Sequence, residues 1–567
     1  MDRGSAFVLL VVFGTGVFLA GLELMITAVA LPSILVDLVV PTGGSSWIEL
    51  RKASWIINGY LLIYVVTMPL AGRLADLWGT RRLFMGALVV FVAGSALAGA
   101  AQDLDQLIAA RVVQGAGGGV LVPVGTAAAS HLFGGHARPR ALGVIGGLTF
   151  LGMAAGPFVG AAVLGTIHAD AGLGRLGIED GPLLDALSPA WRWVFYVNVP
   201  IGIIAIVLAW AASTGWETPR RPGRIDVAGA LTFSLALATA LVGLTLLGSG
   251  EIAGSGLDPT AVTLGLFAIA AAATLLTVLR DLRQPHPFLD VRLFRSIPFS
   301  SAAIVSLLTG YAFATAIIGG AVFVDRVLYG GPNDQRLALG ALAGATALGA
   351  LLSGFAVRFL PLRLVTLVGL VASAAALVVM STWTADVTIE AVAAALGVYG
   401  FGFGLTVTPR STAAVEAAGR HAFGVASAVV TVARMVGMAV GLAILTAYGS
   451  TTIDRLYDQV YATQEAYLSV IPEDLRNRPL RDPFVVQALE DWASREAAGI
   501  MVGLFLVAAA VSIVAIPPGL ALGRRRPHEA DSAVEAEEHR SAGQIGPAGP
   551  AGPEHDVADR SEPTVVL

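Results

Sequence analysis

Long apolar runs are the feature that most constrains how this chain can fold. Runs of about 20 residues recur from the N-terminus to residue 518, and each is long enough to cross a hydrocarbon core of roughly 30 Å as a helix. Only 13% of the residues are charged, whereas soluble proteins carry about 25%. The sequence therefore predicts an all-α membrane protein with 14 transmembrane helices. The predicted spans are 7–32, 53–72, 83–101, 106–130, 140–165, 193–213, 226–247, 260–280, 297–325, 336–357, 364–383, 387–409, 424–447 and 498–518.

The connections between these spans alternate in charge. One set is rich in arginine and the other in aspartate and glutamate. Because arginine is enriched in cytoplasmic loops, we expect the first set and both termini to lie in the cytoplasm, with the chain crossing the inner (plasma) membrane many times. The arginines of the first set are Arg81, Arg82, Arg138, Arg140, Arg220, Arg221, Arg224, Arg280, Arg283, Arg292, Arg295, Arg358, Arg363, Arg420, Arg524, Arg525 and Arg526.

Composition excludes several kinds of chemistry. The chain has no cysteine, which rules out disulfides, thiolate metal sites and cysteine nucleophiles. Its single lysine, Lys52, does not lie in a phosphate-binding Gly-x-x-x-x-Gly-Lys-Ser/Thr motif, so ATP is not the expected fuel. The histidines show no metal spacing, and no nucleophile–base arrangement is evident. We therefore expect no enzyme activity, no metal, no cofactor and no nucleic-acid partner.

A short connection between spans 2 and 3 indicates that the chain is built from two related halves. Residues Gly72–Arg82 place one carboxylate, Asp76, and three arginines in a turn that contains Gly79. Residues 354–363 repeat the pattern in a weaker form, with Arg358 at the position of Asp76. Membrane proteins made of two related halves commonly transport a substrate by rocking around a central site. Transport is therefore the leading interpretation.

Two charged residues are predicted to lie at the same depth in the membrane. Counted from the outer ends of spans 1 and 4, Glu23 and Arg111 both lie roughly 9–12 Å below the surface. Charges at that depth are costly unless they are paired, so an ion pair is expected. One interpretation is a proton-coupling carboxyl whose proton affinity depends on whether Arg111 is beside it. The other is a static bridge that fixes helix packing.

A third charge, Arg434, is predicted near the middle of span 13. No acid in the second half of the chain matches its depth. It could bind substrate oxygens or backbone carbonyls, or respond to Glu23 across a central cavity. Alternatively, its side chain snorkels toward the membrane surface or caps a broken helix.

Span 5 carries small residues at helical spacing. Gly152, Gly156 and Gly160 occupy every fourth position, and Pro157 lies between them. Small residues at this spacing let two membrane helices approach closely, and proline removes a backbone hydrogen bond and permits a bend. From composition alone, ordinary helix packing is the favoured interpretation.

Several of these motifs resemble those of the major facilitator superfamily, in particular its fourteen-helix drug:proton antiporters. The motifs that carry the resemblance are Gly72–Arg82, Arg111–Gly115 in span 4, Gly152–Gly160 in span 5, which is similar to the antiporter signature, and Trp191–Gly202 at the start of span 6. The chain departs from that pattern at Glu23, where an aspartate is usual. It also departs at Phe150, where related mycobacterial lipid exporters carry an acid.

The resemblance implies two pseudo-symmetric six-helix bundles and two extra linker helices. Residues 1–213 would form the first bundle, 214–296 the linker pair, and 297–518 the second bundle. In such proteins the acid at Asp76 contacts the start of a helix in the opposite bundle and stabilises one of two transport states. The residues assigned to this switch are Gly72, Asp76, Gly79, Arg81, Arg82 and Arg358. Those assigned to proton coupling are Glu23, Arg111 and Arg434.

Three segments are expected to lie outside the bilayer, the first of them an external loop at residues 166–192. Residues 448–497, an external insertion in the second bundle, are rich in acids but also carry apolar residues at loosely helical spacing. They form either a helical hairpin above the membrane or a solvated connection. Residues 519–567 are rich in Glu, Ala, Gly and Pro, which is typical of a disordered tail, here cytoplasmic.

The predicted cavity lining contains few charges, which favours a lipophilic or amphipathic substrate over a sugar or a polyanion. Its polar and aromatic candidates are Thr27, Asn58, Tyr64, Gln114, Phe150, Tyr311, Thr315 and Thr431. We therefore expect a monomer, surrounded by membrane lipids, that exports such molecules in exchange for protons, as multidrug exporters do. The proton gradient would be its energy source. The alternative is an exporter of lipids or glycolipids such as triacylglycerol, and an alternative of another class is a non-transporting receptor or scaffold.

Overall fold

The computed structural model describes residues 3–38, 55–133, 137–167, 181, 187–212, 226–249, 258–285, 287–419, 423–463, 468–476, 478–479 and 482–523. Fourteen helices within these residues are long and apolar enough to cross a membrane, which confirms the predicted all-α membrane fold. They are α1 (Arg3–Leu38), α2 (Trp55–Trp78), α3 (Thr80–Ala100), α4 (Leu104–Leu132), α5 (Ala137–Thr166), α6 (Arg192–Ala212), α7 (Val227–Ser249), α8 (Pro259–Arg283), α9 (Ile297–Val322), α10 (Pro332–Ala356), α11 (Leu362–Met380), α12 (Ile389–Ala418), α13 (Phe423–Ala462) and α14 (Pro483–Val514).

The first six helices and the last six pack in the same pattern. In the first half α1 packs on α5, while α4 packs on both α2 and α3. Eight helices later, α9 packs on α13, while α12 packs on both α10 and α11. The recurrence of each pair at a fixed offset is the pseudo-symmetry expected of two related bundles.

Two seams join the halves. Helix α5 packs on α10, and α2 packs on α13, so each half contributes an equivalent pair of helices. The linker helices α7 and α8 pack chiefly on each other, and α7 also contacts α13 and α2. Large apolar side chains of α8, such as Leu264 and Leu275, are exposed. Lipid tails are as apolar as these side chains, so an exposed apolar surface is the expected exterior of a membrane protein.

A glycine makes the tight turn between α2 and α3 possible. Gly79 has a φ of 88°, a backbone conformation that is unfavourable for residues with a Cβ atom. Its N–H donates a hydrogen bond to the carbonyl of Ala75 at 3.0 Å, and α3 begins at the next residue. The α4–α5, α10–α11 and α12–α13 connections lie at the same end of the bundle. We call this end the arginine-rich face, after Arg81, Arg82, Arg140 and Arg358.

The last two long helices extend beyond the predicted spans. Helix α13 continues past residue 447 to Ala462, and α14 begins at Pro483 instead of residue 498. The predicted spans stopped where acidic and polar residues begin, since those residues lower the local hydropathy. For the described part of 448–497, the structure therefore supports the helical interpretation. From residue 524 onward, the predicted disordered tail lies outside the described residues.

Candidate functional site

The Glu23 carboxylate is buried in α1 and is held by three hydrogen-bond donors. Its side chain has 0% of its surface exposed, and that of Arg111 in α4 has 1%. Nη1 of Arg111 donates to Oε1 of Glu23. Oγ1 of Thr27 donates to the same oxygen at 3.0 Å, and Nδ2 of Asn198 donates to Oε2 at 2.7 Å. These donors offset the free energy lost when a carboxylate leaves water.

Arg111 is held from several sides as well. Its Nε donates to the carbonyl of Ile56 at 3.1 Å, and its Nη1 donates to Oε1 of Gln114 at 2.5 Å. Its guanidinium carbon lies 4.1 Å from the centre of the Tyr60 ring, within the range of a cation–π interaction. We call Glu23, Thr27, Arg111, Gln114 and Asn198 the Glu23 cluster.

Every member of the Glu23 cluster belongs to the first half, on α1, α4 and α6. The sequence-based expectation was that the pair separates when the bundles rock. Rigid rocking of one half against the other leaves these helices together, so it would not separate Glu23 from Arg111. Any exchange of the proton must instead involve a rearrangement within the first half.

A second polar site lies between the halves, nearer the arginine-rich face. It is a cavity of about 40 Å³ bounded by α4, α5, α12 and α13, which is room for only a few water molecules. Arg410 of α12 and Arg434 of α13 line it, with 2% and 8% of their surfaces exposed. We call it the arginine cavity. Its hydroxyl-bearing lining residues are Thr126, Thr149, Ser411, Ser427 and Thr431.

The two arginines of this cavity have little compensation for their charge. Nη1 of Arg410 donates to Oγ1 of Thr309 at 2.5 Å. Arg434 faces the ring of Phe150, with 5.3 Å between the guanidinium carbon and the ring centre, and its Nε has no hydrogen-bond partner. Within the described part of the chain, neither guanidinium forms an ion pair with a carboxylate.

Two stacked tyrosines on α2 lie between the Glu23 cluster and the arginine cavity. The ring centres of Tyr60 and Tyr64 are 5.6 Å apart. Tyr60 contacts Arg111, and Tyr64 is close enough to Arg434 to interact with it electrostatically. Both hydroxyl groups are buried without a hydrogen-bond partner. Tyr60 and Tyr64 therefore lie between Arg111 and the electrostatic reach of Arg434.

Comparison with known proteins decides the family. A sequence profile of the Major Facilitator Superfamily matches residues 13–442, which is most of the chain. The chain belongs to the Major Facilitator Superfamily. It is therefore a multi-pass membrane transport protein and not an enzyme, as the motifs predicted.

Curated relatives within the superfamily are named for a lipid substrate. A triacylglyceride transporter of Mycolicibacterium hassiacum is 31% identical over 532 residues, which cover 92% of each chain. One of Mycolicibacterium smegmatis is 28% identical over 538 residues, covering 93% of this chain and 89% of the relative. One of Mycobacterium tuberculosis is 31% identical over 419 residues, covering 71% of this chain and 75% of the relative.

Solved structures of superfamily members share the fold at low sequence identity. A bacterial homologue of the human lysosomal transporter Spinster, inward-facing and unoccupied, superposes with a TM-score of 0.56 at 16% identity. The alignment covers 93% of this chain and all of that one. The proton:xylose symporter XylE gives 0.53 at 13% identity, covering 90% and 95%.

The superfamily's loop motif lies at a closed seam. A Cβ atom built on Gly72 of α2 would lie 2.6 Å from the backbone oxygen of Gly424, in the first turn of α13. The two halves are thus in backbone contact at this point. The side chain of Asp76 lies outside the described residues. The roles assigned to that side chain, and to the switch residues Gly79, Arg81, Arg82 and Arg358, stay predictions.

The second seam is closed at the same face. A Cβ atom on Gly354 of α10 would lie 2.7 Å from the backbone oxygen of Pro139, and one on Gly143 of α5 would lie 2.9 Å from that of Ala350. Equivalent contacts therefore join the halves on both sides of the arginine cavity. In this conformation the path from the cavity to the arginine-rich face is narrowed by backbone packing.

The span-5 glycines pack inside the first half. A Cβ atom on Gly152 would lie 2.1 Å from the backbone oxygen of Phe18 in α1, and Gly156 and Gly160 also face α1. They let α5 approach the helix that carries Glu23. Helix α5 continues through Pro157 to Thr166. This geometry fits the helix-packing interpretation, while an antiporter role for the glycines stays a prediction.

The residues predicted to line one cavity divide between the two sites. Thr431 lines the arginine cavity, and Tyr64 and Phe150 lie beside Arg434. Thr27 and Gln114 instead belong to the Glu23 cluster.

Three further candidates lie elsewhere. Oγ1 of Thr315 donates to the carbonyl of Tyr311 at 3.2 Å within α9, and a Cβ atom on Gly441 of α13 would lie 2.7 Å from that carbonyl. This part of α9 therefore packs inside the second half. Asn58 is half-buried in α2. Tyr311, Thr315 and Asn58 are not among the described residues that line the arginine cavity.

Sequence reasoning missed two residues of these sites. Arg410 lay one residue beyond the predicted end of span 12 at 409, whereas α12 continues to Ala418. Asn198 lay in the recognised Trp191–Gly202 segment, but an uncharged amide gave no signal of its own. A search for buried amides at the depth of Glu23 would have found it.

Proposed function

We propose that this transporter exports lipids or similar amphipathic molecules across the cell's inner membrane in exchange for protons. The observation that carries the proposal is the arginine cavity, which both halves share and whose path to one face is narrowed by paired glycine contacts. A site shared by two pseudo-symmetric halves is what alternating access requires. Relatives named triacylglyceride transporters, aligned over nearly the full chain, favour a lipid substrate over the multidrug substrate expected from sequence.

In the proposed cycle the described conformation is closed at the arginine-rich face. Because positive charge is enriched inside the cell, we take this face and both termini to be cytoplasmic. The cavity has room for a few waters, so a lipid enters only after the Gly72–Gly424 and Gly143–Gly354 contacts separate. Substrate and proton each act by stabilising one of the two states.

The Glu23 cluster supplies the proposed proton site. Protonation would remove the charge that Arg111 compensates, and Arg111 would then change its contacts with Tyr60 and, through Tyr64, the surroundings of Arg434. Each proton that crosses the membrane releases roughly 2.3 kcal/mol per 100 mV. The stacked tyrosines provide a physical route by which the proton site influences the substrate cavity.

The test is transport by purified protein in proteoliposomes with an imposed pH gradient. The lipid probe is used in two forms, a fluorescent triacylglycerol analogue and a fluorescent lysophosphatidate, and a lipophilic cation such as ethidium serves as the drug-like comparison. We expect gradient-driven transport of the lipid probe by the wild type and its loss in Glu23→Gln. Glu390→Gln, which changes an exposed acid in the first turn of α12, is the matched control and should keep full activity.

Other results would overturn the proposal. Gradient-driven movement of ethidium alone would replace the lipid substrate with a drug-like one. Equal rates for the wild type and Glu23→Gln would refute proton coupling at that residue. If neither probe moves, with or without the gradient, a receptor or scaffold role gains support.

A further inference from the structure

The arginine cavity contains more positive charge than the protein compensates. Two guanidinium groups, each at least nine-tenths buried, face one small space. A guanidinium has five N–H donors, yet Arg410 makes one hydrogen bond, to Thr309, and Arg434 makes none in the described structure. Buried charges in proteins are normally paired and hydrogen-bonded. The described residues therefore leave the positive charge of the cavity without a matching negative charge.

Aromatic rings supply only part of the missing compensation. The guanidinium carbon of Arg410 lies 5.0 Å from the centre of the Phe403 ring, and that of Arg434 lies 5.3 Å from the Phe150 ring. Such contacts are weak beside an ion pair, and they do not use the N–H groups at the edge of either guanidinium. The rings thus cover one face of each guanidinium and leave its edge available to an acceptor.

A third donor faces the same space. The Oγ atom of Ser427 lines the cavity and has no hydrogen-bond partner. It lies two turns before Arg434 on α13. By contrast, Oγ1 of Thr431 donates to the carbonyl of Ser427 at 2.8 Å, and Oγ1 of Thr149 donates to that of Ile145 at 2.9 Å. Unused donors in the cavity therefore include N–H groups of both guanidiniums and the hydroxyl of Ser427, and no acid is among the described residues that line it.

We propose that the arginine cavity binds an anionic group, a phosphate or a carboxylate, carried as the headgroup of an amphipathic substrate. Arg410 and Arg434 bind its oxygens from two helices, and Ser427 donates one further hydrogen bond. Guanidinium forks match the planar or tetrahedral oxygens of such groups. Val122, Leu142 and Val407 line the same cavity and provide apolar surface for the start of an acyl chain. The inference rests on the proposed function only in taking the occupant to be the transported molecule.

The test is equilibrium binding to the full-length protein in lipid nanodiscs, without any ion gradient. Three probes isolate the headgroup. Oleoyl lysophosphatidate carries a phosphate, monoolein has the same acyl chain and glycerol without the phosphate, and inorganic phosphate lacks the chain. Each would be titrated as a competitor of a fluorescent lysophosphatidate. We expect lysophosphatidate to bind at least roughly tenfold more tightly than monoolein, because charge-assisted hydrogen bonds distinguish the two.

Single variants locate the site. Arg434→Gln removes a guanidinium that makes no hydrogen bond to the described residues, so it should fold normally and lose roughly tenfold of lysophosphatidate affinity. Its affinity for monoolein should not change. Arg434→Lys keeps the charge and should recover part of the affinity. Arg410→Gln and Arg410→Lys repeat the comparison, and Arg295→Gln, at an exposed arginine outside the cavity, is the control that should bind as the wild type does.

Three outcomes would overturn the inference. The first is equal affinity of the wild type for lysophosphatidate and monoolein. The second is an unchanged preference in well-folded Arg434→Gln and Arg410→Gln. The third is inorganic phosphate competing as well as lysophosphatidate, which would make the site one for a free anion. Because no gradient is used, loss of transport in proteoliposomes with headgroup preference intact would reject the proposed function alone.

Discussion

The two halves of the transporter share their helix packing but treat buried arginines in opposite ways. In the first half Arg111 meets a carboxylate, an amide, a backbone carbonyl and an aromatic ring. In the second half Arg434 meets the ring of Phe150 and makes no hydrogen bond in the described structure. Since the same helix pairs recur in both halves, side chains and not the fold create the difference.

This difference separates two uses of a buried charge. A charge that is satisfied within one half stabilises that half in either transport state. A charge that faces the space between the halves lacks a permanent partner, so its free energy depends on what occupies the cavity. The stability of the first site therefore depends little on how the halves are arranged, whereas that of the second depends on what lies in the cavity.

The largest difference between the two sites is expected when each arginine is removed in turn. Arg111→Met would leave Glu23 buried and unpaired, so the free energy of unfolding should fall by about 3–5 kcal/mol. Arg434→Met removes a charge that has no carboxylate partner among the described residues, and should change stability by less than about 1 kcal/mol or raise it. Denaturant unfolding in detergent measures both. Equal losses in the two variants would contradict the contrast.

The hydrogen bonds in and around the Glu23 cluster can be probed one at a time. Asn198→Ala removes a hydrogen bond to a charged carboxylate and should lower the free energy of unfolding by about 1.5–3 kcal/mol. Ser95→Ala removes the neutral bond that Gln114 donates at 2.8 Å, and should lower it by about 0.5–1.5 kcal/mol. The same unfolding measurement ranks them. A larger effect of Ser95→Ala would mean that Asn198 does not support the carboxylate.

A bulky side chain at the contact between α2 and α13 should make the arginine cavity more accessible from the arginine-rich face. Gly72→Val would force a side chain against the backbone of Gly424, and overpacking of about 1–3 kcal/mol would shift the closed state by roughly 5–150-fold. The chain has no cysteine, so Ser411→Cys provides a single reporter in the cavity, labelled by a maleimide from the arginine-rich face. We expect faster labelling in Gly72→Val. Gly86→Val, at a position with open space around it, should label at the reference rate.

The smallest effect is expected at an ion pair on the surface of the linker helices. Burial opposes ionisation of Asp226, but hydrogen bonds from Arg280 and from the N–H of Gly229 lower its pKa below the ordinary value. A lowered pKa stabilises the fold above the unfolded-state value of about 3.9. Arg280 is 35% exposed, so Asp226→Asn should lose no more than about 1 kcal/mol at neutral pH. The difference should vanish as the pH falls through the folded-state pKa, which unfolding across a pH series measures.

Counting residues from the helix ends predicted the pairing of Glu23 with Arg111. Glu23 and Arg111 lie on helices whose ends are marked by charged connections, so equal depth could be counted along the sequence. The structure places the two side chains in contact. Counting residues could not show which side of each helix these residues face. It therefore could not show that Thr27 and Gln114 belong to the same cluster.

The arginine cavity was harder to predict because the ends of helices are difficult to locate from sequence. Arg434 was assigned to a predicted span, but Arg410 lay just past a predicted boundary and looked like part of a connection. Polar residues near a helix end lower hydropathy even where the helix continues inside the protein. For the same reason the insertion at 448–497 was left undecided, although α13 and α14 continue as helices into it.

The length of α13 has a mechanical consequence. As one helix of 40 residues, it measures roughly 60 Å, about twice the thickness of the hydrocarbon core. Its first turn touches Gly72, and its middle packs on α9, where Cβ atoms on Gly437 and Gly441 would meet the backbone of Leu307 and Tyr311. A change in the tilt of the whole helix would displace its far end, near Ala462, more than its middle. A fluorophore attached at Thr463 would therefore report a small change in the tilt of α13 as a larger displacement. Distance measurements by fluorescence energy transfer can follow that displacement over time.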